Sequence, residues 1–165
     1  KACLLNIPDN RDSLIPVISS HYLTIYSQLE MINFNGMRAD TDLESPRITN
    51  ALKKSISQND GKIFDGVYFI LDIDDGTNTE KLTCAEADER IREKNRFPLT
   101  VEEIIARLLQ KTQPQAYNLL AVGSRYEHDD EVPVFTITDN KTCLKTCFYS
   151  TVHPNSVTPS CGARV

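Results

Sequence analysis

The chain has 165 residues, 40% of them apolar, and a formal net charge of −5. That is the size and composition of one globular domain, which buries about two-thirds of its unfolded surface and needs neither disulfides nor metal to fold. Lys and Arg are scattered through an acidic chain and no apolar run approaches ~18 residues, so phosphate-driven nucleic-acid binding and a membrane span are both excluded as expectations.

The first seven residues are too short and too polar to read as a signal peptide, and residues 1–12 carry few order-promoting signals. Ile15, Ile18, Tyr22, Ile25, Leu29 and Ile32 then recur at spacings of three and four, which predicts an amphipathic helix over 14–33. Ser45-Pro46 followed by Ile48, Leu52 and Ile56 predicts a second helix over 46–57. Residues 66–73 are β-branched and aromatic between turn residues and predict a buried strand. Two capping boxes follow, Thr83-Cys84-Ala85-Glu86 and Thr100-Val101-Glu102-Glu103, opening helices over 84–94 and 101–111. From residue 117 the pattern changes to four short strand candidates, 117–122, 132–138, 144–149 and 157–161. Helices first and strands later predict a single α+β domain over residues 1–165, with a helical N-terminal half packed on one side of a mainly antiparallel C-terminal sheet.

Few motifs carry chemistry. Asp72-Ile73-Asp74-Asp75-Gly76 follows a strand as a phosphatase Asp-x-Asp would. However, Gly76 stands where that motif needs Thr, so the segment reads as an acidic turn. Glu127 through Glu131 reads as a solvated hairpin tip. Gly123-Ser124-Arg125 ends a strand candidate, where Ser124 and Arg125 could hold an anionic group. The C-terminal segment holds Cys143, Cys147, His153, Cys161 and Arg164. Two thiols four residues apart on a strand stand roughly 13 Å apart, too far to share one zinc, so no metal or other cofactor is expected. A hairpin turning at residues 153–156 would set Cys147 opposite Cys161 or Gly162. Cys161 as nucleophile, His153 as base and Arg164 favouring the thiolate would make a thiol site. Five cysteines are an odd number with no scaffold spacing, which points to reduced thiols in a cytosol.

Several of these pieces occur together in a pattern. They are the strand and acidic turn at 67–76, Pro98-Leu99-Thr100 with Glu102-Glu103, Gly123-Ser124-Arg125, Val132-Pro133, and an ending with Cys147, His153, Ser160, Cys161 and Arg164. Over residues 66–165 the chain resembles a bacterial, mainly actinobacterial, family of unknown function. It departs from that family in having no Trp near Cys147 and His153. The resemblance implies a bacterial source and supplies no reaction. The function expected is therefore a non-catalytic binding or protein-interaction domain of the cytoplasm, with a protein or a small anionic ligand as partner. One alternative is a cysteine-dependent hydrolase or acyl transferase using Cys161 and His153, with Ser124, Arg125 and Arg164 at the substrate. Another is a bacterial effector delivered to a host cell, suggested by an Asn- and Ile-rich composition low in Arg.

Overall fold

The N-terminal segment takes its shape from an alternation the helical periodicity conceals. Ile15-Pro16-Val17-Ile18 forms β1 (Ile15–Ile18), with Ile15 and Val17 buried and Pro16 facing outward. The strand lies at a sheet edge, where a residue without an N–H costs no ladder hydrogen bond. Thr24 then caps a short helix, α1 (Ile25–Glu30), accepting from the Ser27 N–H at 3.3 Å. The helix expected over 14–33 is thus corrected to a strand, a turn and six helical residues. Pairing of a β-branched run with a neighbouring strand outweighs a helical stripe that only Ile25, Leu29 and Ile32 keep.

The computed structural model describes residues 14–34, 37–38, 40–41, 66–110, 117–125, 130–138 and 141–165. The helix expected over 46–57, the loose segment 1–12 and most of the acidic tip lie outside these residues. After α1 come three two-residue strands, β2 (Asn33–Phe34), β3 (Met37–Arg38) and β4 (Asp40–Thr41). β5 (Val67–Asp74) leads into a turn at Gly76, then α2 (Cys84–Glu93), β6 (Phe97–Pro98) and α3 (Val101–Gln110). β7 (Asn118–Leu120), β8 (Glu131–Thr138), β9 (Lys141–Phe148), β10 (Ser156–Val157) and β11 (Ser160–Arg164) complete the order.

These strands build two sheets rather than one. The first has the order β1-β5-β11-β6 and the second β10-β7-β8-β9-β4, with β2 and β3 as a separate ribbon. Among the described residues there are three short helices beside them. The expectation of a helical N-terminal half packed on a C-terminal sheet is therefore overturned. The fold is mostly sheet, and an N-terminal strand and the C-terminal strand flank β5 on either side. The hairpin expected between β9 and the chain end is corrected too. β9 pairs with β8, whereas β11 pairs with β5 and β6, so Cys147 lies opposite Val132 and Cys161 opposite Ile73 and Phe97.

One core unites the layers. Val17, Ile70 and Cys161 of the first sheet, Leu119, Phe135 and Leu144 of the second, and Leu29, Ile104, Ile105 and Leu108 of the helices form one buried cluster. A smaller cluster of Cys84, Leu120, Val122, Val132 and Val134 sits at the start of α2, with Cys147 and Tyr149 packed on it. Gly76 closes the turn after β5 with φ of +84°, and an added Cβ there would strike the Thr158 carbonyl. The Asp74 and Asp75 carboxylates accept from the N–H groups of Gly76 and Thr77, so the acidic turn is a structural element. No helix among the described residues is long and apolar enough to cross a membrane.

Candidate functional site

The residues singled out in the sequence fall into two groups at different places in the fold. The first lies in the main core. Glu103 stands at the third position of α3, where its carboxylate accepts from the Thr100 N–H at 2.8 Å and completes the capping box. The same carboxylate receives Arg164 from β11, with Nε to Oε1 at 2.5 Å and Nη2 to Oε2 at 3.0 Å. Arg164 Nη2 also donates to the Pro98 carbonyl, and its guanidinium lies 5.1 Å from the Phe97 ring centroid. The Tyr68 hydroxyl donates to Glu102 Oε1 at 2.9 Å, and Glu102 Oε2 accepts from the Ser20 N–H. Burial and the two carboxylates push the Tyr68 hydroxyl far up from its ordinary value. Arg164 is pushed up as well: burial, the largest single effect, opposes its charge, but the charge and hydrogen bond of Glu103, with smaller contributions from Cys161 and Tyr68, together more than offset it.

Cys161 sits beside this network, fully buried in the middle of the first sheet. Burial, reinforced by Glu103, pushes its thiol up to about 12, against the smaller opposing pull of Arg164 and Arg96. A thiol of that kind is neutral at cellular pH and sealed from solvent, the reverse of an activated nucleophile. Ser124 belongs to the same frame, because its hydroxyl accepts from the Val101 N–H at 2.9 Å at the start of α3. Arg164 is therefore engaged with Glu103, and Ser124 with the helix end.

The second group gathers at the start of α2. Thr83 caps this helix, its Oγ1 accepting from the Glu86 N–H while its own N–H donates to Glu86 Oε2 at 2.8 Å. That cap fixes Cys84 at the first helical position, with its thiol buried. The end of β9 brings Cys147 to the same spot. The turn after it is tied back by the Tyr149 carbonyl, which accepts from the Ala85 N–H, and by a bridge from Val152 to Thr83. His153 follows on that turn. Its Nε2 stands 2.7 Å from the Phe148 carbonyl and 2.9 Å from Thr151 Oγ1. A carbonyl only accepts, so Nε2 carries the ring hydrogen and Nδ1 the lone pair. The two sulfurs and a ring nitrogen of His153 all lie within 4.8 Å of one another.

The two thiols share a hydrogen bond that holds the Cys84 thiol below its usual value and pushes Cys147 up, so the pair favours charge on Cys84. The backbone N–H at the helix start favours the same charge. Arg125 lies close by, its guanidinium 3.8 Å from the centroid of Tyr149, whose hydroxyl donates to Asp88. His153 and, through its contact with Tyr149, Arg125 thus both border the turn after β9, whereas Cys161 and Arg164 stand in the main core.

In the sequence Cys84 figures only as a member of a capping box, not as a thiol of the site. Strand spacing rules out a shared ion only for thiols on one strand, and Cys143 and Cys147 do lie on one strand. The missed partner comes from a helix start distant in sequence. The capping box could have flagged it, because it places a cysteine where a helix N-terminus stabilises thiolate.

No curated protein and no solved structure matches this chain. A family described as being of unknown function, DUF5701, matches residues 13–143. The match begins far before residue 66, where the sequence resemblance was drawn, and stops before Cys147, so the terminal motif lies outside it. Because the match covers most of its length, the chain belongs to this family of unknown function, DUF5701.

Proposed function

We propose that this protein is a non-catalytic binding domain that engages a protein partner in the cytoplasm. The observation that carries the reading is the turn after β9. Phe148 and Val152 are 57% and 50% exposed there, although the backbone between them is fastened on several sides. Thr151 Oγ1 and His153 Nε2 donate to the Phe148 carbonyl, the Tyr149 N–H donates to the Asp130 carbonyl, and Ser150 Oγ donates to Asp130 Oδ2. Large apolar side chains held out on a pre-ordered turn lose little entropy on docking, as interface anchors do. The sealed, neutral thiol of Cys161 supports the same reading against a thiol enzyme.

The test is a double substitution, Phe148→Asp with Val152→Asp, compared with wild type in affinity capture from the native cell. A defined protein retained by wild type and lost by the variant supports the reading, provided the purified pair binds with the same dependence. Identical captured sets from both chains would count against it. So would turnover of activated esters abolished by Cys161→Ser.

A further inference from the structure

We propose that Cys84, Cys147 and His153 form a binding site for zinc, or a similar thiophilic divalent ion, that staples the start of α2 to the end of β9 and the turn beyond it. The proposal does not depend on the binding reading above. Two sulfurs and an imidazole nitrogen are the donor set zinc favours. A tetrahedral ion with bonds of about 2.0–2.3 Å sets its ligand atoms roughly 3.3–3.8 Å apart. The separations here are all within 4.8 Å, so the ligand atoms close by at most about 1–1.5 Å to reach that geometry.

A second observation points the same way. A metal-binding histidine characteristically gives its other ring N–H to a carbonyl or carboxylate, which fixes the ring and its tautomer. His153 does this from Nε2 to the Phe148 carbonyl at 2.7 Å, so Nδ1 is the nitrogen that the proposal assigns to the ion. The three ligands come from elements each fastened separately. Cys84 is held by the Thr83–Glu86 capping box, Cys147 by its pairing with Val132, and His153 by the tied turn. A site whose ligands are placed before the ion arrives loses little ordering entropy on binding. Three residues leave one position of a tetrahedral ion for water or for a group from a partner. Binding releases the thiol protons to solvent, so two thiolates and a neutral imidazole carry the ion.

The experiment uses the full chain, purified with reductant, stripped by chelator and titrated with cobalt(II), then with zinc. The expected result is one cobalt per chain with sulfur-to-cobalt charge transfer and the intense visible bands of a tetrahedral site, displaced by one equivalent of zinc. His153→Gln and Cys147→Ser should each weaken zinc binding at least ~100-fold, the upper range for loss of even an outer-shell partner. Cys143→Ser, which alters a thiol outside the cluster, should leave it unchanged. Circular dichroism establishes that each variant is folded, and the wild-type cobalt spectrum stands regardless of the variants. Cobalt binding without sulfur charge transfer would overturn the proposal, as would no binding, or binding undiminished in both His153→Gln and Cys147→Ser.

Discussion

Replacing Arg164 with methionine tests whether the buried ion pair holds the C-terminal strand to the helical layer. Methionine keeps much of the stem's apolar bulk while removing the guanidinium. Glu103 would retain the Thr100 N–H and the Tyr68 hydroxyl but lose two guanidinium bonds and its only hydrogen-bonded countercharge among the described residues. The pair lies deep, with side-chain exposures of 9% for Arg164 and 0% for Glu103, so solvent cannot replace what is removed. Breaking one partner of such a pair costs about 3–5 kcal/mol. In a domain of this size, each kcal/mol lowers the melting midpoint by about 2–4 °C, which predicts a fall of roughly 6–20 °C. Urea unfolding followed by circular dichroism measures the same loss as a lower midpoint at unchanged slope. Adding Glu103→Gln removes the stranded charge yet keeps an acceptor for the Thr100 cap, so the double variant should be more stable than Arg164→Met alone. A single-variant loss below about 1 kcal/mol, or strictly additive effects in the pair, would refute the reasoning.

Cys161→Ser should leave any measured partner binding intact, and iodoacetamide should label Cys161 only after unfolding. Its thiol titrates near 12 when folded and near 9 when unfolded, so the folded state holds the proton more tightly. The stabilising contribution is full below pH 9 and fades as pH rises toward 12. Urea midpoints should fall across that window and fall less in Cys161→Ser, and equal slopes in the two proteins would contradict this. Gly76→Ala forces both a positive φ and a clash with the Thr158 carbonyl, and should lower stability by more than the ~1–3 kcal/mol of backbone strain alone. Thr83→Ala removes the cap of α2 and should cost about 1 kcal/mol in the same urea assay.

The parts of this fold that local chemistry decides were legible in the sequence. Both capping boxes form, at Thr83–Glu86 and Thr100–Glu103; the first helix ends at Glu93, one residue from expectation, and the second starts at Val101 as expected. β5, β8 and β9 also lie close to where β-branched runs placed them. What misled was Ile15 through Ile32, whose spacing fits one face of a helix while Ile15 and Val17 also fit one face of a strand. Antiparallel pairing with Tyr68 and Ile70 decided between them, and no local window contains that partner. Strand pairing hid the site for the same reason. A hairpin at residues 153–156 would set Cys147 opposite Cys161 or Gly162, but β11 departs to the first sheet and leaves Cys147 to Cys84. Arg164 and Ser124, read as ligand-holding groups, each meet a partner supplied by α3.

The most direct test of the central claim, that the turn after β9 is a partner-binding surface, is site-specific photocrosslinking in the native cell. A benzophenone amino acid would replace Phe148 in one chain and, in a control, Glu89, an exposed residue of α2. The account predicts a discrete protein adduct from position 148 that is absent from position 89. Matching adducts from both positions, or none from 148, would contradict it.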